Sequence, residues 1–225
     1  MSVFPAHWPV AHPERIQLYT LGTPNGVKAS IALEELGLPY EAHRVDFGKR
    51  EQHDPGFLEF SPNNKIPALI DPDGPGGAPI RIFESGAILH YLAKKAGRLL
   101  PTDPAGENEA LRWMFFQVGS VGAMFGQYGH FVAYAPKDQD HAYATARYTQ
   151  EALRILAVLE QRLEGRDWIL DDFSIVDIMT APWVGAFDYY GGPVVPELAK
   201  LPNVTAWTER FKARPAVQRG MKVPG

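Results

Sequence analysis

Residues 61–70 read SPNNKIPALI, and residues 81–92 read RIFESGAILHYL. The apolar runs in these two stretches flank a Gly- and Pro-rich segment at 71–79, a pattern typical of a β-hairpin. Ile88, Leu89 and Leu92 then recur at helical spacing, which predicts a helix directly after the second strand. The other elements of the N-terminal half are arranged around this hairpin–helix unit, so it is the centre of the predicted fold.

Polar residues lie at the two joints of this unit. A cis peptide between Ile66 and Pro67 would turn the N–H and C=O of Ile66 outward as a free strand edge, which can pair with an extended peptide. Ser85 is predicted to be the N-cap of the helix, so the N-terminus favours a carboxylate there. Glu84 suits an amine, and Lys65 suits a second carboxylate. The groove therefore predicts a small peptide ligand with an amino-acid head and a carboxylate tail.

The composition is typical of a globular protein and gives little support to nucleic-acid or membrane binding. The chain has 225 residues, 45% of them hydrophobic, and a net charge of −4 without a basic cluster. No segment approaches the roughly eighteen apolar residues that a membrane span needs. Residues 1–13 lack the basic start and apolar centre of a signal peptide, so we expect a cytoplasmic protein.

Cysteine is missing from the sequence. Disulfides, thiolate metal sites and a protein thiol nucleophile are therefore excluded, and any redox chemistry must use the sulfur of a ligand. The seven His residues show no pair at metal-ligand spacing, so we expect no metal.

The N-terminal half predicts a thioredoxin-like domain. Residues 1–15 carry no period and are expected to be an arm on the surface, where they could cover a partner subunit. A strand at 16–21, a helix after the turn at 22–26 and a strand at 40–45 form a crossover that implies a parallel pair. With the hairpin unit, the order is β-α-β-α-β-β-α, over residues 16–96.

The C-terminal half predicts an all-α helical bundle. Residues 97–106 contain two prolines and are interpreted as the linker, and residues 107–225 show helical patterns without a convincing strand. Ser174 and Asp177 resemble a capping box that opens a core helix, and we expect them to stabilise the helix start without taking part in chemistry.

Two motifs carry a resemblance to a known family. The segments NKIPAL at 64–69 and FESGAI at 83–88 resemble the glutathione-binding half of a cytosolic glutathione transferase. The segment LYTLGTPNGVK at 18–28 is similar to the bacterial nu class, which is related to a yeast nitrogen regulator. The similarity extends from about residue 16 to 220 and includes GHF at 129–131 and RY at 147–148.

The resemblance implies roles for individual residues. It assigns Thr23 to the sulfur of glutathione, with Asn25 as a second polar contact, and a helix N-terminus there would favour the thiolate. The other implied glutathione-binding residues are Gln52 and Lys65 at the glycine end, Ile66 and Pro67 along the peptide backbone, Glu84 and Ser85 at the head, and Arg147 on a helix of the second half.

Several of these residues have structural alternatives. Thr23 could simply cap the helix that Pro24 begins, and Arg147 could equally form a surface ion pair. We expect His130 to be a core histidine. The glycines at 119, 122, 126 and 129 lack a dinucleotide fingerprint and favour close helix packing, with room for a ligand lined by Phe131, Tyr134 and Tyr128.

The resemblance implies a glutathione-dependent enzyme. In the nu class it implies a disulfide-bond reductase, and proteins of this two-domain kind imply a homodimer. Because the chain has no cysteine, such a reductase needs two glutathione molecules as cosubstrates, and we expect the second one near Arg147. Two alternatives stay open at this point. One is a glutathione S-transferase that conjugates glutathione to an electrophile, and the other is a non-catalytic regulatory protein that binds glutathione.

Overall fold

The computed structural model describes residues 3–225, which form two compact units. The first unit contains residues 3–98 together with Pro215–Gly225, and the second contains Leu99–Arg214. This division differs from the expected boundary at one place, because the C-terminal tail belongs to the first unit.

The first unit is built on a four-stranded sheet with the order β2-β1-β3-β4. Its strands are β1 Ile16–Thr20, β2 Tyr40–Arg44, β3 Ala68–Asp71 and β4 Ile80–Phe83. β1 pairs parallel to β2 and antiparallel to β3, and β3 pairs antiparallel to β4. Both the predicted crossover and the predicted hairpin are therefore confirmed.

Four α-helices complete this unit: α1 Gly26–Leu36, α2 Pro55–Leu58, α3 Ser85–Ala96 and α11 Pro215–Gly220. A short 3-10 helix covers Glu51–His53. Gly37 ends α1 with a positive φ of 69°, a conformation that favours glycine. Up to α3 the order is β-α-β-α-β-β-α, so the predicted thioredoxin-like fold is confirmed.

The tail packs on α1 through a close backbone approach. Ser30 donates its hydroxyl hydrogen to the carbonyl of Gly220 at 2.7 Å, and Arg219 Nε lies 2.6 Å from Glu34 Oε2. A Cβ added at Gly220 would lie 2.6 Å from the Cα of Ile31, so only glycine fits there. These contacts are long-range, which explains why helical periodicity alone placed the tail with the C-terminal half.

The N-terminal arm is not only a surface feature. Trp8 is buried, donates its indole N–H to the carbonyl of Arg44 at 2.9 Å, and packs edge-on against Tyr19. Large aromatic side chains contribute much apolar burial, so Trp8 joins the arm to the core of the first unit. Residues 1 and 2 of the predicted arm lie outside the described residues.

The second unit contains only helices within the described residues, as predicted. They are α4 Pro104–Phe116, α5 Ala123–Gly129, α6 Ala142–Arg162, α7 Ile175–Gly185, α8 Phe187–Tyr190, α9 Val194–Leu198 and α10 Pro202–Lys212. Two segments are wound as π-helix, Gln117–Gly122 before α5 and His130–Tyr134 after it.

Helix α7 is the core element of this unit, with residues 175–184 all buried. The predicted capping box at its start is present: Ser174 accepts a hydrogen bond from the backbone of Val176, and Asp177 accepts one from the backbone of Ser174. Asp177 also accepts from the indole of Trp207 at 2.9 Å and from the backbone of Ile169 at 3.0 Å.

The glycine series at 119–129 allows close packing of aromatic rings. A Cβ at Gly129 would lie 2.5 Å from the ring of Tyr190, and one at Gly126 would lie 3.3 Å from the ring of Trp183. Close packing is therefore sufficient to explain these two glycines. No helix in the part of the chain that the structure describes is long and apolar enough to cross a membrane.

Candidate functional site

Four of the polar residues predicted from the sequence lie at the N-termini of α1 and α3: Thr23, Asn25, Glu84 and Ser85. A lysine that the sequence analysis did not single out connects the two helices. Lys28 Nζ lies 2.8 Å from Asn25 Oδ1 and 3.3 Å from Ser85 Oγ. The proposed sulfur contact and the proposed carboxylate contact are thus joined by one ammonium group.

Thr23 lies in the turn that leads into α1. Its Oγ1 accepts a hydrogen bond from the backbone N–H of Gly26 at 3.1 Å, so Thr23 does stabilise the start of α1. This contact does not exclude a second role for the hydroxyl group. A hydroxyl group can accept and donate at the same time. The hydroxyl hydrogen of Thr23 is therefore available for a thiolate while its oxygen caps the helix. A Cβ at Gly26 would collide with the carbonyl of Leu21, so the turn requires glycine at this position.

Glu84 and Ser85 occupy different positions from those predicted. Glu84, not Ser85, is the N-cap residue of α3, and Ser85 is the first helical residue. The reason is the backbone of Glu84, which has a φ of 71° and a ψ of 116°. A residue other than glycine costs about 1–3 kcal/mol in such a conformation, and such residues cluster at functional sites.

The start of α3 is left open by this arrangement. No side chain of the described residues caps this helix, and the carbonyl of Glu84 accepts only the N–H of Ile88, at 2.9 Å. The first backbone N–H groups of a helix have no partner inside the helix, and its dipole favours an anion. With the exposed carboxylate of Glu84 beside it, this end of α3 suits a group that carries both a carboxylate and an ammonium.

Ile66 and Pro67 precede β3 and are joined by a cis peptide, as expected. Among the described residues, no hydrogen bond reaches the backbone N–H or C=O of Ile66. Ser61 Oγ donates to the carbonyl of Lys65 at 2.7 Å, which holds the chain just before Ile66. The side chain of Lys65 is exposed, so its ammonium is accessible to a carboxylate.

Gln52 lies on the short helix Glu51–His53, and its Oε1 atom is buried without a hydrogen-bond partner in residues 3–225. A buried polar atom without a partner costs about 1–3 kcal/mol, which a ligand group can relieve. The short helix is held in place by the carboxylate of Glu51, which accepts from the backbone N–H of Asp46 at 2.7 Å.

In the second unit, Arg147 is exposed on α6 and lies 3.0 Å from Glu151. It thus forms the surface ion pair that was the alternative interpretation, and an exposed pair of this kind contributes little stability. The guanidinium has five donor N–H groups, so the pair does not exhaust its capacity for a carboxylate.

Two predictions for aromatic and histidine side chains in this unit were wrong. His130 is exposed and contacts the edge of Phe131, so it is not a core histidine. Tyr128 is fully buried, and its hydroxyl donates to the carbonyl of Gly191 at 2.6 Å. Tyr128 therefore has a structural position and cannot line an open pocket, whereas Tyr134 is exposed.

The second unit also has a cavity of about 730 Å³, and none of the residues above lines it. Its cations are already paired, since Arg162 lies 2.6 Å from Glu109 and Arg166 lies 2.7 Å from Asp171. The cavity therefore attracts an anionic ligand less strongly than the N-termini of α1 and α3 do. Within residues 3–225, no group of three or more His, Asp or Glu side chains is placed to hold a metal ion.

Comparison with known protein families gives two matches. The family described as "Glutathione S-transferase, N-terminal domain" matches residues 23–95, and the family described as "Glutathione S-transferase, C-terminal domain" matches residues 142–210. The chain is 44% identical to the disulfide-bond oxidoreductase YfcG of Escherichia coli over 208 residues, which cover 92% of this chain and 94% of that protein.

Solved structures are similar over almost the whole chain. A glutathione transferase from Burkholderia graminis, described with two glutathione molecules bound per subunit, has a TM-score of 0.94 at 53% identity and covers 97% of this chain and 92% of its own. One from Pseudomonas putida, described with one glutathione disulfide bound per subunit, has a TM-score of 0.94 at 49% identity and covers 97% and 96%.

Proposed function

Because the chain belongs to the glutathione S-transferase family, we propose that it is a glutathione-dependent disulfide reductase that holds two glutathione molecules as its cosubstrates. This proposal rests mainly on one observation: the chain has two helix N-termini that favour anions and no cysteine, so the thiols for disulfide reduction must come from bound ligands. The names and bound ligands of the relatives, an oxidoreductase and transferases with two glutathiones or one glutathione disulfide, support it.

In this proposal the first glutathione lies across the start of α1 and α3. Its head carboxylate accepts hydrogen bonds at Ser85, and its ammonium faces Glu84, since charge-assisted hydrogen bonds are the strong ones. Its peptide pairs with the open backbone of Ile66, next to the buried residue Pro67.

The two ends of the first glutathione meet different groups. The sulfur lies near Thr23 and Asn25, where a hydroxyl hydrogen and a helix N-terminus favour the thiolate. The glycine carboxylate lies near Lys65 and the amide N–H groups of Gln52, while the buried Oε1 atom of Gln52 is available to an N–H donor of the ligand.

The reaction is thiol–disulfide exchange in two steps. The thiolate of one glutathione attacks a sulfur of the substrate disulfide, forms a mixed disulfide and releases the first substrate thiol. The second glutathione attacks the glutathione sulfur of that mixed disulfide, forms glutathione disulfide and releases the second substrate thiol. Two electrons and two protons pass from two glutathiones to the substrate, and no protein sulfur is needed.

Arg147 is the proposed contact for a carboxylate of the second glutathione. Its exposed guanidinium can accept a new anion while it stays paired with Glu151, and a bidentate contact to a carboxylate adds specificity. Arg147→Ala should therefore weaken the second binding event and leave the first unchanged. Arg154→Ala is the matched control, since Arg154 contacts the same Glu151 at 3.0 Å.

Calorimetric stoichiometry and turnover together test the proposal. We expect two glutathiones, or one glutathione disulfide, per chain, and faster turnover with a small disulfide than with an aryl halide. One glutathione per chain with faster aryl-halide conjugation would contradict the reductase and favour the glutathione S-transferase, which needs one glutathione and an electrophile. Tight binding without turnover of either substrate class would favour the non-catalytic regulatory protein.

We also infer that the protein forms a homodimer. Phe115 at the end of α4 exposes 73% of its surface, and Val118, three residues later in the π-helical segment, exposes 50%. Exposed apolar side chains close together are typical of subunit interfaces. Sedimentation at micromolar concentration should show a dimer, and a monomer would contradict this inference.

A further inference from the structure

Lys28 is the most completely buried charged side chain near the proposed glutathione site. It lies in the first turn of α1, and 1% of its surface is exposed. Lysine is almost never fully buried unless it is paired. A buried amine at the junction of two ligand-facing helix N-termini therefore requires an explanation beyond packing.

We propose that Lys28 is a positioning residue of the glutathione site, whose ammonium holds Asn25 and Ser85 in place and favours the thiolate form of bound glutathione. This inference rests on the proposed function. Lys28 acts through its two partners, at 2.8 Å and 3.3 Å, and not by contact with the sulfur.

The geometry explains why an amine is useful at this position. Asn25 can present its amide N–H to the sulfur only if its carbonyl oxygen is held elsewhere, and Lys28 donates to that oxygen. Ser85 can donate its hydroxyl hydrogen to a carboxylate because its oxygen already accepts from Lys28. One ammonium thus orients the donors of both contacts.

The charge of Lys28 also responds to the ligand. Burial lowers the pKa of Lys28 to about 7, and the negative charge of Glu84 acts in the opposite direction. No acidic residue lies in the first turn of α1 or α3, and Arg219 of α11 is paired with Glu34 near the other end of α1. Glu84, at the start of α3, is a charged side chain that acts on Lys28.

A ligand anion should change this balance. A carboxylate at Ser85 or a thiolate near Asn25 favours the charged form of Lys28, because opposite charges stabilise each other strongly where water is excluded. At neutral pH and above, the amine takes up a proton from solvent when the anion binds. The thiol of glutathione releases its own proton to solvent in the same range, so the two events support each other.

The first measurement uses the unchanged protein and S-methylglutathione, which has no thiol proton. Calorimetry in two buffers of different ionisation enthalpy, at about pH 7, where a lysine of ordinary pKa and most of the ligand's own amino group are already charged, should show net proton uptake on binding. No proton uptake would overturn the inference. Failure of both S-methylglutathione and glutathione to bind would instead refute the proposed function itself, and the inference with it.

The second measurement compares variants. In Lys28→Met, a side chain of similar length without the charge, the pKa of the bound glutathione thiol should rise by about one unit, read from the ultraviolet absorbance of the thiolate. Lys49→Met is the matched control at an exposed lysine and should leave the titration unchanged. A thiol pKa in Lys28→Met equal to that of the unchanged protein would contradict the role of Lys28. If Lys28→Met does not fold, the proton uptake of the unchanged protein decides the question.

Discussion

Two helices of this protein, α3 and α7, have a serine at their start, but the two serines occupy different positions and make different hydrogen bonds. Ser174 is the N-cap of α7, and its side chain accepts a hydrogen bond from the helix backbone. Ser85 is the first residue inside α3, and no side chain of the described residues caps that helix. The same residue type therefore closes one helix start and leaves the other open.

The difference separates a structural helix start from a ligand-binding one. At α7 the donors are satisfied from within the chain, by Ser174 and by the buried carboxylate of Asp177. At α3 the preceding residue, Glu84, adopts a positive φ that is unfavourable for its type, and no side chain of the described residues caps the helix. A helix N-terminus that is uncapped and locally strained is a better candidate for ligand binding than one that is capped.

The largest effect on stability is expected for a substitution at Asp177, which closes the start of α7. Asp177→Ala leaves the N–H groups of Ile169, Ser174 and Trp207 buried without their acceptor, and each such group costs about 1–3 kcal/mol. We expect the free energy of unfolding to fall by about 3 kcal/mol or more in urea denaturation.

The exposed neighbour Asp172 provides the control for this variant. Asp172→Ala should change the free energy of unfolding by less than about 0.5 kcal/mol. Equal stability of the two variants would mean that the start of α7 is not closed by Asp177 in the way described.

The second effect concerns the strained residue at the start of α3. Glu84→Gly removes the cost of a positive φ and should leave the protein as stable as before or about 1 kcal/mol more stable. The same change removes the partner of the ligand ammonium, so the affinity for glutathione should fall by about tenfold or more. Loss of stability together with unchanged affinity would show that Glu84 has a structural role only.

The smallest effect is expected at Thr23, which combines the two kinds of helix start in one residue. Its oxygen caps α1, and its hydrogen is proposed to bind the sulfur. Thr23→Ser keeps the hydroxyl and should retain most of the disulfide reductase activity, whereas Thr23→Ala should lose about tenfold in kcat/KM. If both variants are as active as the unchanged protein, Thr23 is a cap alone and Asn25 is the next candidate.

Much of the fold could be predicted from the sequence because it depends on local patterns. The hairpin at 68–83, the crossover between β1 and β2 and the capping box at Ser174 each follow from residues that are close in the sequence. Such patterns report periodicity and turn chemistry directly.

The remaining features depend on contacts between distant residues. The burial of Trp8 and the packing of Gly220 on α1 join segments that are far apart in the sequence. Ser85 was predicted as the N-cap because the residue type fits, but the backbone of Glu84, which no local pattern encodes, shifts the cap by one position. The sign that Lys28 is part of the site was its place beside Val27 and Ile31 on an apolar helix face.

If the open start of α3 binds glutathione and the capped start of α7 does not, a paired melting experiment will distinguish the two helix starts. The unchanged protein, Ser85→Ala and Ser174→Ala are melted with and without glutathione, where a ligand at a hundredfold excess over Kd adds about 2.7 kcal/mol of stability. Ser174→Ala should melt earlier, because a lost N-cap costs about 1 kcal/mol, yet keep the full glutathione-dependent shift. Ser85→Ala removes one hydrogen-bond partner of the buried Lys28 ammonium, so it should also melt somewhat earlier without ligand, but it should lose most of the glutathione-dependent shift. No shift in the unchanged protein, or equal loss of the shift in both variants, would show that the start of α3 is not the glutathione site.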